Sequence, residues 1–360
     1  MPMQVVVAIP VRDEVARITK CLAALSRQTI PAGHVVLLLN NCTDGSADVI
    51  RAQPRAPYRL HLVERTLDEP YASAGMARGL AMDYAASLAE KSVILTTDAD
   101  AEAPSNWIEL NLRAIKQGAD AVCGQAVIDP IEALAIPAQL HQDDAREVAY
   151  GRLLDEIESI VVPETADPWP RHREDSGASI AITSSMFYRV GGLPFSSSGE
   201  DRALIAALRL MDARVRHDPR ISVVVSGRIE GRAPGGMADT MRRRMLQQDE
   251  FTDDRIQPAF AAFRKLEIKR GFTELWRDPD SRKLRRMAEL LSLPPDLIAD
   301  AMAAPYFGLG WSQLERSAPR LQTGRVRFGE LEREIKTAQR ILHSLLPDSG
   351  DPDSAELTAA

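Results

Sequence analysis

Over residues 4–127, short apolar runs rich in β-branched residues alternate with stretches whose apolar residues recur every three or four positions. Gln4–Ile9 (QVVVAI), His34–Leu39 (HVVLLL), Tyr58–Val63, Ser92–Thr97 (SVILTT) and Ala119–Val127 read as strands. Between them the spacing predicts helices: one from about Asp13, carried by Val15, Ile18, Leu22 and Leu25, then Asp44–Ala52, Ser73–Ala89 and Ser105–Gln117. Near-continuous apolar strands separated by amphipathic helices predict an α/β fold, a mostly parallel sheet covered by helices on both faces.

Beyond residue 127 the alternation loosens. A long polar helix is expected over about Gln139–Ile160, then a Pro-rich turn, PETADPWPRHRED. Gly177–Ile182 reads as a small apolar strand. A Gly/Ser loop leads into a helix that opens at Gly199, Glu200 and Asp201, and Arg214–His217 and Ile221–Ser226 read as two further strands. From residue 236 the pattern is helical: Met237–Gln248, Ala259–Trp276, Arg282–Leu293, Pro295–Ala303 and Gly329–Leu345.

The charge distribution supports a division there. Residues 1–240 hold 24 basic against 32 acidic side chains, and residues 241–340 hold 20 against 15. A chain with 45% hydrophobic and 26% charged residues is an ordinary globular one. Three scattered cysteines (Cys21, Cys42, Cys123) offer neither a disulfide framework nor a zinc site. The start lacks the basic region of a signal peptide, and no apolar stretch approaches the ~20 residues of a membrane span, so a cytoplasmic protein is expected.

Ligands of such sheets bind beyond the carboxyl ends of the strands. Polar residues collect there: Pro10, Arg12, Asp13 and Glu14 after the first strand, Asn40, Asn41, Thr43 and Asp44 after the second, Asp98 and Asp100 after the fourth. Asp13 and Asp44 serve equally well as helix caps. Asp98-Ala99-Asp100 is a D-x-D arrangement whose hard oxygens suit Mg²⁺ or Mn²⁺, the kind of ion that neutralises a departing diphosphate. On spacing alone D-x-D is a weak signal. Glu200 and Asp201 open a helix, where a carboxylate stays ionised as a general base must; an acidic first helical turn is also common without that role. Arg78 lies on a predicted helix near the same edge and suits a phosphate, or else a solvated face.

In chain order the segments PVRDE, LNNCTDGSADVI, GMARGLAMDYA, ILTTDADAEAPSNWI, GASIAITSSMFYRVGGLP and GEDRALIAALR resemble the family-2 glycosyltransferases of GT-A fold, over about residues 4–250. The resemblance implies a GT-A domain over 1–235, with a nucleotide half to about 127 and an acceptor half from 128. A helical subdomain over 236–346 and a disordered tail over 347–360 complete the expected organisation. It also implies a nucleotide-diphospho-sugar donor, a divalent cation (Mn²⁺ or Mg²⁺), and an acceptor that is a small molecule, a glycan or a lipid-linked sugar. Carried over by position, Pro10, Arg12 and Glu14 fall in the loop around base and ribose, Asn40 falls where the family has a base-contacting Asp, and Arg78 falls beside the nucleotide. Asp98 falls on the ribose or metal contact, Asp100 on the metal, and Asp201 on the catalytic base with Glu200 beside it. Gly177, Ala178, Gly191 and Gly192 fall on the acceptor side.

Arg12 and Asp13 replace the family's Tyr and Asn. The Q-x-x-R-W motif of processive synthases is missing, and MADTMRRRM, with Arg242, Arg243 and Arg244, stands in its neighbourhood. His172 and His217 are the candidates for the family's late metal-side histidine. The expectation is a metal-dependent, non-processive glycosyltransferase. Alternatives are a nucleotide-sugar-binding protein of the same fold without turnover, or a sugar-phosphate nucleotidyltransferase. The latter is disfavoured because PVRDEVAR is not the Gly-rich loop of that class, and a dehydrogenase is disfavoured because G-x-G-x-x-G is absent. No nucleic-acid partner is indicated. The basic helix around Arg282–Leu293 could touch an anionic membrane, but its narrow apolar stripe favours packing on the protein.

Overall fold

The computed structural model describes residues 3–196, 198–229, 231, 236–247 and 249–346. The expected tail from residue 347 lies outside them. Seven strands form one sheet: β1 (Gln4–Val11), β2 (His34–Asn40), β3 (Arg59–Arg65), β4 (Ser92–Thr96), β5 (Ala121–Ile128), β6 (Ile180–Thr183) and β7 (Val215–Val225). Their order is β3-β2-β1-β4-β6-β5-β7, and only β6 runs antiparallel to its neighbours. The mostly parallel, helix-covered sheet is therefore present.

The helices are α1 (Ile18–Ser26), α2 (Ser46–Arg51), α3 (Ala74–Ser87), α4 (Trp107–Lys116), α5 (Ala138–Val161), α6 (Ser184–Arg189), α7 (Glu200–Leu210), α8 (Met237–Leu246), α9 (Ala259–Arg277), α10 (Ser281–Leu291), α11 (Pro295–Met302), α12 (Phe307–Ser317) and α13 (Leu331–Leu345). Strand alternation sorts the core into two layers. Val5, Val7 and Ile9 of β1 face α1 and α4, while Val6 and Ala8 face α3, α6 and α7.

Three local departures from the expected pattern have physical causes. The two expected strands around Pro219 are one strand: Cys123 pairs with His217 and Gln125 with Ser222, so the residues between bulge out. Proline, lacking an N–H, is tolerated at such a bulge. α1 begins at Ile18 rather than Asp13, because residues 13–17 turn to meet the loop after β2. α12 carries no helical signal because Gly308 and Gly310 weaken it. Both glycines are demanded by packing: a Cβ at Gly308 would lie 2.0 Å from the Arg209 carbonyl, and one at Gly310 2.3 Å from that of Ala301.

The helices from α9 onward build two apolar clusters. One joins α9, α10, α11 and α12, and it takes up Leu284, Met287, Ala288 and Leu291, the apolar stripe of the basic helix α10. The other joins α9 and α13 to α5, which lies between β5 and β6 in sequence but packs with the late helices. No helix among the described residues is long and apolar enough to cross a membrane.

Candidate active site

The loops after β1 and β2 interlock. Asp13 adopts a left-handed backbone (φ 53°), which Asp tolerates better than most residues. Its Oδ1 accepts from the amides of Thr43 (2.7 Å) and Asp44 (3.1 Å), and Asp44 accepts in return from the amides of Val15 (3.0 Å) and Ser46 (2.9 Å). These two acids fasten loops. Pro10 sits within β1 opposite Leu38. Arg12 Nη1 donates to the Ala72 carbonyl at 2.9 Å. Asn40 is buried, and its amide donates to the Ser73 carbonyl at 3.2 Å.

Arg78 is not on a solvated face; it is 5% exposed beneath the strand ends. Nε donates to Glu200 (3.1 Å), Nη1 to Thr96 Oγ1 (2.9 Å) and to the Gly177 carbonyl (2.8 Å), and Nη2 to Asp98 (2.7 Å). Four of its five N–H donors are thus engaged. Burial alone would lower the guanidinium's proton affinity, but Asp98 and Glu200 outweigh it and hold the charge. The requirement for glycine at 177 follows: a Cβ there would lie 2.7 Å from Arg78 Cζ.

Asp201, beside Glu200, accepts from the Gly177 amide at 2.8 Å through Oδ2 and from the Arg202 amide at 2.7 Å through Oδ1. Burial raises its carboxyl above the ordinary range, opposed by the Gly177 hydrogen bond. The loop before β6 and the start of α7 are therefore one unit with Arg78.

On the other side of Asp98, Asp100 is largely buried. Burial first, then repulsion from Asp98, push its carboxyl up to about 6, while Arg228 pulls it back. Arg228 Nη2 lies 3.3 Å from Asp100 and Nη1 2.6 Å from Glu14. Sequence reasoning missed Arg228, although it follows the end of β7 and the rule applied to the first, second and fourth strands would have found it.

Seven buried side-chain polar atoms among the described residues lack a hydrogen-bond partner, and four of them cluster at these strand ends: Glu14 Oε2, Asn40 Oδ1, Thr97 Oγ1 and Arg228 Nη1. Buried polar atoms are normally satisfied, so a cluster of exceptions marks a place for a polar ligand. The oxygens of Glu14, Asp98 and Asp100 are the hard donors that Mg²⁺ or Mn²⁺ takes. The donor types fit such an ion, but among the described residues only Cys123, Asp175 and His217 bring three ligand atoms within 4.8 Å of one another, so the carboxylates at this edge are not a closed cage and the remaining ligands would come from elsewhere.

The late histidines are not at this edge. His217 is buried, with Nδ1 2.9 Å from Asp167 and Nε2 3.0 Å from Asp175. Burial opposes its charge, yet the surrounding Cys123, Asp167 and Asp175 raise its proton affinity well above the ordinary value. Cys123, Asp175 and His217 offer ligand atoms within 4.8 Å of one another; with a carboxylate facing each ring nitrogen, a protonated His217 would donate from both and have no lone pair for a metal. His172 stacks edge-on against His217. Of the MADTMRRRM arginines, Arg243 and Arg244 pair with Asp249.

Residues 6–163, from β1 through the end of α5, match the family model for glycosyl transferase family 2. This segment belongs to that family. It places the chain among the glycosyltransferases, and it contains Glu14, Asn40, Arg78, Asp98 and Asp100 but not Glu200, Asp201 or Arg228. No curated protein matches the chain. Among solved structures, Staphylococcus aureus TarS 1-349 in complex with UDP-GlcNAc is 14% identical with a TM-score of 0.47, covering 95% of this chain and 91% of that one. The mannosyltransferase PcManGT from Pyrobaculum calidifontis, in complex with GDP-Man and Mn²⁺, is 19% identical with a TM-score of 0.43, covering 95% and 85%. Glucosyl-3-phosphoglycerate synthase from Mycobacterium tuberculosis, in complex with Mn²⁺, UDP and phosphoglyceric acid, is 15% identical with a TM-score of 0.41, covering 71% and 82%.

Proposed function

We propose that this chain is a divalent-cation-dependent glycosyltransferase that moves a sugar from a nucleoside-diphospho-sugar to an acceptor hydroxyl, one transfer per encounter. The observation that carries the reading is Arg78. Its paired contacts to Asp98 and Glu200 join the D-x-D loop and the α7 start into one rigid unit, so a cation edge and a candidate base keep a constant relation during reaction.

In this reading the loop of Pro10, Arg12 and Glu14 and the side chain of Asn40 border the nucleoside. Asp98 and Asp100 would hold Mn²⁺ or Mg²⁺, which supplies charge neutralisation of the leaving diphosphate. Asp201 takes the proton of the acceptor hydroxyl as that oxygen attacks the anomeric carbon, and the sugar–diphosphate bond breaks on the opposite face. Its raised carboxyl makes it a better proton acceptor than an exposed Asp. The Gly177 amide fixes its orientation. Arg78, with its donors engaged inside the protein, acts as a positioning residue rather than a phosphate ligand. The missing Q-x-x-R-W motif supports a non-processive enzyme.

Release of nucleoside diphosphate from UDP-, GDP-, dTDP- and ADP-sugars, with and without Mn²⁺, tests the reading. Cation-dependent release with at least one donor is expected. Donor binding with no release, whatever acceptor is supplied, would leave a sugar-nucleotide-binding protein and refute turnover.

A further inference from the structure

Two residues past Ser226, Arg228 reaches back over the sheet edge between carboxylates from two neighbouring strand ends, Glu14 after β1 and Asp100 after β4. Arginine and carboxylate usually meet in a planar fork of two parallel hydrogen bonds. Here they do not. Nη1 lies 2.6 Å from Glu14 Oε1 outside hydrogen-bonding geometry, and Glu14 Oε2 has no partner although Glu14 is 4% exposed. The stem beneath is firm: Glu132 Oε2 accepts from Ser226 Oγ (3.0 Å) and from the Gly227 amide (2.8 Å), and the Arg228 amide donates to Ser226 Oγ (3.1 Å). Arg17 holds Glu132 in turn at 2.6 Å. Among the described residues, a fixed backbone therefore carries a long side chain held to Glu14 and Asp100 by charge rather than by a paired fork of hydrogen bonds.

We propose that Arg228 is a resident counter-cation of the metal seat. It neutralises Glu14 and Asp100 while no divalent ion is bound, competes with the ion for them, and turns to the donor's diphosphate when the ion enters. The proposal rests on the transferase reading, which brings the diphosphate. Its consequence is ordered loading. An ion arriving alone must displace a unit charge from buried carboxylates, whereas an ion arriving with a diphosphate gives the guanidinium a new anion matched to its fork.

The test is Mn²⁺ binding to the full chain, read from the paramagnetic resonance of the free ion, with and without UDP, GDP, dTDP or ADP. Wild type, Arg228→Gln, Arg228→Met and Arg228→Lys are compared, with thermal melting as the check on folding. Without nucleotide, both neutral variants are expected to bind Mn²⁺ at least about ten-fold more tightly than wild type, as removal of a nearby like charge from a largely buried site requires. The Lys variant should stay near wild type. Nucleotide should tighten Mn²⁺ binding more in wild type than in the neutral variants. A folded neutral variant whose nucleotide-free Mn²⁺ affinity is unchanged or weaker overturns the proposal. Failure of all four nucleoside diphosphates to bind any variant would instead remove the transferase reading, while the nucleotide-free comparison still decides whether Arg228 competes with the ion. A merely structural role for Arg228 would not produce a gain in affinity.

Discussion

Replacing Arg78 by Met removes the guanidinium that binds Glu200, the Thr96 hydroxyl, the Gly177 carbonyl and one oxygen of Asp98. The Glu200 side chain is 10% exposed and that of Asp98 35%, so water can re-solvate Asp98 far better than Glu200. Breaking a buried ion pair by deleting one partner costs about 3–5 kcal/mol. Each further buried acceptor left without a donor costs about 1–3 kcal/mol. The thioether chain of Met recovers some packing, so we expect a net loss of about 4 kcal/mol, a large share of the ~5–15 kcal/mol by which native proteins are stable. Urea denaturation of both proteins, monitored by tryptophan fluorescence, measures the loss. Arg78→Lys should recover only part of it, because one ammonium cannot reach four acceptors set around a planar fork. A loss of less than about 1 kcal/mol for Arg78→Met, the value of an exposed ion pair, would refute the picture of a buried guanidinium bracing the site.

Asp201→Asn should lower the transfer rate by about 10²–10⁴-fold while donor affinity changes little, since the amide keeps the size and loses only the proton acceptor; near-normal turnover would remove Asp201 as the base. Because burial raises the Asp201 carboxyl, kcat/KM of the wild type should fall on acidification at a pH above that of an ordinary Asp, and a profile flat down to pH 4 would speak against it. His217, whose folded-state proton affinity is raised, contributes stability that is complete below pH ~6.5 and is lost as pH climbs through its higher folded value. Melting temperature followed upward from pH 6 should therefore decline more steeply in wild type than in His217→Asn, and parallel curves would show that His217 is not charged. Gly177→Ala forces a Cβ to within 2.7 Å of Arg78 Cζ and should cost about 1–3 kcal/mol, together with part of the transfer activity. An unaltered melting curve would mean that the loop yields freely.

Arg242, Arg243 and Arg244 show how a conspicuous local signal can mislead. Their charge stands out in the sequence, yet Arg243 and Arg244 are bound by nearby Asp249. Arg228, with no charged run around it, is the arginine that meets Asp100. Likewise the histidines that the family pattern drew attention to are locked among Asp167, Asp175 and each other.

The sequence by itself determined the strand and helix alternation of the first 127 residues, because a strand buried on both faces must be apolar throughout and an amphipathic helix must repeat every 3.6 residues. It also determined which residues stand at the carboxyl ends of β1, β2 and β4, since chain order and parallel pairing leave no other edge for them. Tertiary structure alone decided that β6 enters antiparallel between β4 and β5, that α5 packs with α9 and α13, and that Arg78 lies buried against Glu200, 122 residues away. It also decided that Arg228 closes over Glu14 and Asp100. Contacts of this kind join side chains whose chain neighbours carry no matching periodicity. A pairing set by sheet order and by which charges remain uncompensated after burial leaves no local trace, and only the folded chain brings it about.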